Sequence, residues 1–415
     1  LAIAIVAAAG TALVAFVYGF RGSLLGTFVA DQSAFALLLV LICLAPIDAL
    51  DNLLQGQLTI FAGPKAIFFR RHILGPGLKL TVVLLVVAAA GDVTQLAWGY
   101  VAGGAIGLST YAAILGRAWQ KQNLLRYLRL SRIVVPAREV LGYSLPLVSS
   151  EIVLILRGSF AVILLESLHS TLAVGGYRAV LPLAKLNLVA MQSFAFLFIP
   201  VASRMFVAND RKGMNDLYWQ TALLVAILTF PVAATTFSLA TPFTIRLLGE
   251  EYAGSATVLM VLAAGYYFHA ALGFNQHVLR VNGNVRFIVI ADILAAGIGL
   301  GVSLLLIPEH GAMGGALGTT AASIAHNLLN QIGLAACRTG VRLGEVRYVG
   351  VYLLIAALLA ALLGMQLLFE PPVYVAVLGV LLASLLLIRV TSRVVLLKET
   401  FPELLRVPLL RKLFE

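Results

Sequence analysis

The chain has 415 residues, of which 61% are hydrophobic and only 11% are charged, and its mean hydropathy is +1.00. Soluble domains carry about 25% charged residues, so this composition excludes an ordinary soluble protein and predicts an all-α membrane protein. The net charge of +11 would suggest nucleic-acid binding in a soluble protein. In a membrane protein, Lys and Arg concentrate in cytoplasmic loops instead. We therefore expect contacts with membrane lipids and no nucleic-acid partner.

Long apolar segments follow one another between clusters of charge. A spanning helix needs roughly 20 mainly apolar residues, and we predict about twelve transmembrane helices. In chain order they are residues 1–19, 35–61, 66–90, 94–116, 141–166, 172–203, 217–244, 254–279, 287–307, 311–337, 348–368 and 372–392. The first residue is Leu and opens directly on an apolar run, so we expect that the sequence is trimmed at its start.

The basic residues are distributed unequally between the two sets of connections. One set, together with the C-terminal tail, holds 23 of the 29 Lys and Arg residues, whereas the other set holds only Arg21 and Arg246. This asymmetry predicts that the basic set and the C-terminus lie on the cytoplasmic side of the membrane. We expect this membrane to be a bacterial or archaeal plasma (inner) membrane.

Five regions follow from the spans and the charges. They are an incomplete N-terminal lobe of four helices (1–120), a basic interfacial linker helix (121–140), a C-terminal lobe of six helices (141–340), two additional helices (341–395) and a cytoplasmic tail (396–415). The linker and the tail alternate basic and apolar residues, which is typical of an anchor on an anionic leaflet.

Charged residues inside the spans are the main indication of function. The basic ones are Lys79, Arg157, Arg178 and Lys185, and the acidic ones are Asp48, Asp51, Glu151 and Asp292. Each costs roughly 2.5–3.5 kcal/mol at the centre of a helix that faces lipid. They must therefore contact one another, a polar cavity or an anionic ligand.

Arg178 and Lys185 are seven residues apart, almost two helical turns, so both project from one face, and Pro182 near that face should kink the helix. Arg157 on the preceding helix reaches an overlapping depth, and Glu151 is the one deep acid nearby. This surplus of cations predicts a cavity for an anion. Alternatively, Glu151 neutralises Arg157 and Arg178 extends to the outer surface.

The remaining polar residues have weaker patterns. Asp48 and Asp51 share a helix face, and Lys79 lies at a similar depth on the next helix, which favours a structural pair over a proton or sodium relay. His269, Asn275 and His277 form no metal motif and are interpreted as polar packing or cavity lining. Asp292 has no assigned role and is expected to be partly hydrated. No metal or cofactor is predicted, although coupling to a proton or sodium gradient is open.

Several segments together resemble a known family. They are "SLPLVSS", "AVGGYRAVLPLAKL", "FLFIPVASRMFVANDRKGMNDLYWQT", "RLLGEEYAGSATVLMVLAAGYYFHAALGFNQHVLRVNGNVRF" and "LLLIPEHGAMGGALGTTAASIAHNLLN". Their order resembles polysaccharide flippases of the multidrug/oligosaccharidyl-lipid/polysaccharide (MOP) superfamily, which flip undecaprenyl-pyrophosphate-linked sugar units. The resemblance implies two pseudo-symmetric lobes around a central cavity and a chain that begins at the family's third helix.

The resemblance also implies roles for individual residues. Arg157 matches an Arg that members carry in the first helix of the second lobe, near the lipid-linked pyrophosphate. Lys185 falls where members often carry a basic residue, whereas Arg178 replaces a usually small one. The Asp that usually follows the Arg of that first helix is missing here, which leaves more positive charge without compensation.

Three functions are consistent with these residues. The first is a flippase for lipid-linked oligosaccharides that works by alternating access, is no enzyme, and has a polysaccharide polymerase complex as a further partner. The second is a cation-coupled exporter of drug-like molecules with the same fold. The third is a membrane enzyme such as a glycan polymerase or ligase, against which the short outer connections argue.

Overall fold

The computed structural model of this chain describes residues 2–24, 32–61, 73–121, 152, 155, 158–342, 344–392 and 394. Throughout these residues the regular secondary structure is helical, without a strand, which confirms the all-α prediction. The chain divides into two units, Leu1–Ala137 and Arg138–Glu415. The predicted linker and tail fall almost entirely outside the described residues.

The first unit is built around one long helix. Its helices are α1 (Ala2–Gly19), α2 (Arg21–Leu24), α3 (Gln32–Leu41), α4 (Leu44–Phe61), α5 (Gly75–Ala88) and α6 (Val93–Lys121). Helix α6 packs against α3, α4 and α5. Its glycines permit this close approach, because a Cβ atom at Gly99 would collide with Val82 of α5, and one at Gly104 would lie 3.2 Å from Ile47 of α4. Small residues serve the same purpose wherever membrane helices pack closely.

The second unit has more helices and a larger buried core. Its helices are α7 (Gly158–Leu168), α8 (Thr171–Lys185), α9 (Val189–Val207), α10 (Arg211–Ser238), α11 (Ala240–Leu248), α12 (Ala256–Leu272), α13 (Phe274–Val281), α14 (Val285–His310), α15 (Ala312–Ala336), α16 (Val346–Phe369) and α17 (Val373–Thr391). Two 3₁₀ segments, Leu186–Leu188 and Glu250–Ser255, follow α8 and α11.

Helix α10 is the central helix of the second unit. It packs against α9, α12, α16 and α17. Of the residues in its most apolar 18-residue stretch, 72% are buried. A helix that is apolar on all sides is stable when other helices surround it. Polar side chains at its first turns are bound as well: the Asn215 amide donates to Glu345, and the Trp219 indole donates to the carbonyl of Arg342.

Several helices are long and apolar enough to cross a membrane, which confirms a polytopic membrane protein. Within the described residues seven helices meet this criterion, or eight if the bent pair Thr171–Ala195 and Leu197–Val207 forms one span. Three shorter apolar helices match other predicted spans: Ile5–Gly19, Gly75–Ala88 and Gly158–Leu168. Helix α15 belongs neither to the seven long apolar helices nor to the three shorter ones, because polar residues recur along it. The count of twelve spans stays a prediction.

Some predicted spans are interrupted. The span predicted at residues 254–279 consists of α12 and α13, which are separated at Gly273; a Cβ atom there would lie 2.5 Å from the carbonyl oxygen of His269. Helix α8 contains Pro182 and continues to Lys185 before the 3₁₀ turn begins, and the kink expected at Pro182 stays a prediction. A bend of 44° follows residue 195. It lies four residues before Pro200, which has no N–H to bond to that turn.

Candidate functional site

The turn between α7 and α8 fixes where the residues of α8 lie. The hydroxyl of Ser170 accepts a hydrogen bond from the backbone N–H of Ala173, at 3.3 Å, and caps the helix. The hydroxyl of Thr171 donates to the carboxylate of Glu166, at 2.9 Å. The Ser170 hydroxyl thereby satisfies one of the N–H groups that a helix start leaves unbonded, which defines the first residue of α8.

Arg178, Pro182 and Lys185 lie on one exposed side of α8, which we call the cationic face. The opposite side buries four residues: Tyr177, Val180, Leu181 and Ala184. The spacing of seven residues therefore places both cations on one face, as the sequence predicts. At 1.5 Å per residue, Arg178 lies about 10 Å and Lys185 about 21 Å along the axis from Thr171. Among the described residues, neither cation has a carboxylate within ion-pair distance.

The 3₁₀ segment that follows Lys185 contains a fully buried side-chain amide. Asn187 donates from Nδ2 to the carbonyl of Ala184, at 3.0 Å, and to the hydroxyl of Thr236 on α10, at 3.1 Å. Its Oδ1 has no hydrogen-bond partner in the described part of the chain. A buried polar atom without a partner is costly, so Asn187 is positioned for more than packing.

The other predicted site residues are dispersed. Arg157 and Glu151 lie outside the described residues, so their proposed roles stay predictions. In the first unit, Asp48 and Lys79 are exposed and Asp51 is half-buried. Helix α6 packs against both α4 and α5, the helices that carry Asp51 and Lys79. The predicted pair between these two residues stays a prediction.

A second polar cluster, which the sequence analysis did not assemble, lies inside the second unit. Nε2 of His326 on α15 is 3.0 Å from Oδ1 of Asp292 on α14, and both side chains are 2% exposed. The expectation that Asp292 is partly hydrated is therefore wrong, since α15 covers it. We call Asp292, His326, Asn330, Asn327 and His269 the buried polar cluster.

Helices α12 and α13 complete this cluster. Nδ2 of Asn327 lies 2.8 Å from Nδ1 of His269 on α12, and the ring centroids of His269 and His326 are 5.3 Å apart. Asn275 on α13 is fully buried and donates to the carbonyl and the amide oxygen of Asn327, at 3.0 and 3.1 Å. Asn275 thus joins two helices.

His277 lies apart from these contacts. It is half-buried, and its ring packs against the rings of Phe198 and Phe274. The described residues contain no group of three or more His, Cys, Asp or Glu side chains that could hold a metal ion. The buried polar cluster is therefore a hydrogen-bonded network around a single carboxylate.

A signal for this cluster is present in the sequence. Thr319, Ser323, His326 and Asn330 recur at intervals of three and four residues along α15, which places polar groups in a stripe along one side of an otherwise apolar helix. This stripe could have identified His326. Its partner Asp292 is 34 residues away, and only the packing of α14 on α15 brings the two together.

An apolar cavity of about 600 Å³ lies in the second unit. Its lining includes five aromatic residues, Trp219, Phe237, Tyr267, Phe268 and Tyr352, and one acid, Glu345. The hydroxyls of Tyr267 and Tyr352 donate to the carbonyls of Ala226 and Ala271. Because backbone oxygens satisfy these hydroxyls, the rings present mainly carbon to the cavity.

Several membrane-length helices, some of which carry charged residues, define the class of polytopic membrane proteins. The chain belongs to the family described as "Polysaccharide biosynthesis protein", which matches residues 3–257. The resemblance to polysaccharide-biosynthesis membrane proteins is thereby confirmed.

The fold is similar to that of a solved structure, "Lipid II flippase MurJ, inward closed conformation". The two chains are 15% identical, with a TM-score of 0.66, and the alignment covers 94% of this chain and 82% of that chain. At this identity the likeness shows a common fold. None of the curated protein sequences matches the chain.

Proposed function

We propose that this protein flips lipid-linked oligosaccharide units, carried on undecaprenyl pyrophosphate, across a bacterial or archaeal plasma membrane for surface polysaccharide biosynthesis. The family description supports a role in polysaccharide biosynthesis. The similar fold of a protein whose title names it a lipid II flippase supports movement of a lipid-linked precursor.

The cationic face is the observation that carries the proposal. Two exposed cations on a membrane helix would together cost roughly 5–7 kcal/mol if they faced hydrocarbon. Water or an anion must therefore be present beside them. A diphosphate carries several acceptor oxygens, and charge-assisted hydrogen bonds from Arg and Lys are strong in such surroundings. Arg157 is proposed as a third cation.

The lipid chain of this substrate needs an apolar surface. The cavity of about 600 Å³ between α10, α12 and α16 offers carbon-rich walls of suitable size for several isoprene units. Headgroup and chain would thus be held by different helices of the second unit. No covalent bond needs to break in such a process, which agrees with a transporter rather than an enzyme.

Alternating access supplies the mechanism, in which the binding site opens to one side of the membrane at a time. We propose a cytoplasmic C-terminus, from the distribution of Lys and Arg. Membrane lipids and a polysaccharide polymerase complex are the proposed partners, because flipped units are the substrate for polymerisation.

Complementation tests the proposal. A strain that lacks its own polysaccharide translocase should regain surface polymer when it expresses this protein. Arg178→Ala together with Lys185→Ala should reduce that polymer at least tenfold, because the diphosphate loses two charge-assisted contacts. Arg246→Ala removes an exposed cation of α11 and is the matched control. Normal polymer in the double variant, at equal protein level, would refute the role of the cationic face.

The exporter hypothesis keeps one supporting observation. Five aromatic rings and Glu345 in the wall of the apolar cavity suit a hydrophobic organic cation, through stacking and cation–π contacts. Expression of the protein should then raise resistance to cationic dyes such as ethidium, and Glu345→Gln should abolish that resistance. Unchanged dye sensitivity would exclude this function.

A further inference from the structure

The Asp292–His326 pair lies far from the ends of two packed helices, α14 and α15. Asp292 is seven residues after the start of α14, about 10 Å along its axis, and His326 is ten residues before the end of α15, about 15 Å. Both side chains are 2% exposed. Ionisable residues at such depth are expensive, and they mark ion or proton pathways by default.

Nε2 of His326 has two neighbours that require opposite protonation states. It lies 3.0 Å from Oδ1 of Asp292 and 3.1 Å from Nδ2 of Asn330. A protonated Nε2 donates to the carboxylate, whereas an unprotonated Nε2 accepts from the amide; one nitrogen cannot do both at once. Rotation of the Asn330 amide would replace the donor by Oδ1, which has no partner among the described residues.

The opposite ring nitrogen does not fix the protonation state. Nδ1 of His326 is buried and has no hydrogen-bond partner in the described part of the chain. The state of a histidine is normally set by the group that its other nitrogen contacts. The ring can therefore exchange a proton without breaking a second hydrogen bond.

The chemistry of the cluster selects a proton over a metal cation. Hard cations such as sodium need several oxygen ligands around them. Here an imidazole nitrogen, Nε2 of His326, lies 3.0 Å from Oδ1 of Asp292. The described residues add no second carboxylate to this site.

The other titratable groups around the pair are few. His269 on α12 is half-buried, and the centroid of its ring is 5.3 Å from that of His326, so a second titratable ring lies beside the pair. Tyr177 on α8 reaches α15 at Thr319. On α13, His277 contacts Phe198 and Phe274, and Arg280 is exposed. Glu151 and Arg157 lie outside the described residues.

We propose that the Asp292–His326 pair binds and releases one proton, through His269, in each transport cycle. Without the proton the pair carries a net charge of −1; with the proton, either as carboxylate and imidazolium or as carboxylic acid and imidazole, it is neutral. Loading thus raises the charge of the pair by one unit, and Asn330 turns its amide to match. The proton comes from water and returns to water, with only O–H and N–H bonds formed or broken. Its coupling to transport rests on the proposed function.

Spectroscopy of the full chain in lipid nanodiscs tests proton binding directly. The sequence has six histidines, so ¹⁵N-histidine spectra are tractable, and His326→Gln assigns the signal. We expect the His326 signal, or the carboxyl band of Asp292 in infrared difference spectra, to change when the pH is varied. Asp292→Asn should shift or abolish the change. Glu309→Gln and His310→Gln, exposed residues at the end of α14, should leave it unaltered. No change at either group in the unaltered protein would overturn the proposal.

Proteoliposomes separate proton coupling from the proposed function. A fluorescent undecaprenyl diphosphate–N-acetylglucosamine is the probe, and an imposed pH gradient should accelerate its translocation at least fivefold. Asp292→Asn should lose this acceleration yet still bind the probe. Full acceleration in Asp292→Asn would refute the coupling. If the unaltered protein protonates but never moves the probe, the proposed function fails while the proton site stands.

Discussion

The phenolic oxygen of Tyr177 lies 2.9 Å from the hydroxyl oxygen of Thr319, and this contact joins α8 to α15 one residue away from the exposed Arg178. Tyr177 is 2% exposed, so its ring is held by the core while the next side chain projects outward. The cationic face thus has a fixed position relative to the helix that carries the buried polar cluster.

Tyr177→Phe and Thr319→Val should each lower the free energy of unfolding by about 1 kcal/mol, because each removes one buried hydrogen bond. The double variant should lose little more than either single one, since the two changes remove the same contact. Chemical unfolding in mild detergent measures these differences. Fully additive losses would show that the two hydroxyls do not depend on one another.

Charge reversal on the cationic face should be worse than neutralisation. Arg178→Glu or Lys185→Glu places an anion where we propose a diphosphate, so polymer export should fall below the level of the corresponding Ala variant. Binding of radiolabelled undecaprenyl pyrophosphate to purified protein measures the effect directly. Arg246→Glu, at a comparable exposed site on α11, is the control. Equal binding by the Ala and Glu variants would contradict an anion at this face.

The crossing of α14 and α15 should be sensitive to added volume. A Cβ atom at Gly318 would collide with Ser303 and lie 2.8 Å from the carbonyl oxygen of Gly299. Gly318→Val should therefore destabilise the protein by about 1–3 kcal/mol. Gly301→Ala, on α14 where space is open, should instead stabilise it by roughly 0.5–1 kcal/mol, as Ala favours a helix over Gly. Thermal unfolding of both variants should shift in opposite directions.

Replacement of the buried Asn187 should change the stability of the protein only slightly. Asn187→Leu loses two hydrogen bonds, worth about 0.5–1.5 kcal/mol each, but it also removes a buried oxygen without a partner among the described residues, worth about 1–3 kcal/mol. Stability should therefore change by less than about 1 kcal/mol. Ser193→Ala, whose exposed hydroxyl bonds only within its own helix, is the control. A loss above about 3 kcal/mol would mean that Oδ1 is bonded in the folded protein.

Local spacing made part of this structure predictable. The interval of seven residues placed Arg178 and Lys185 on one face, since helix periodicity alone decides that relation. The long apolar segments located most helices for the same reason. The break at Gly273 was missed, because a glycine within an apolar run does not by itself show where a helix ends.

Contacts between distant segments were not predictable in the same way. His326 was not predicted because no partner for it lies nearby in the sequence, and Asp292 appeared as an isolated acid. Their pairing depends on the depth at which two helices cross, which is set by Gly299, Gly318 and Ala322. A sequence pattern records which face a residue occupies but does not record what that face meets.

Helices α14 and α15 are connected by a single residue, Gly311, whose φ of +51° is a left-handed conformation that glycine adopts without strain. The next glycine, Gly314, brings α15 so near to Leu306 that a Cβ atom would lie 2.5 Å from its carbonyl oxygen. The short connection and the close approach at Gly314 restrict independent movement of the two helices. We therefore expect the proposed protonation of Asp292 and His326 to tilt the hairpin as a whole against α12, where Asn327 contacts His269 and Thr320 donates to the carbonyl of Val261.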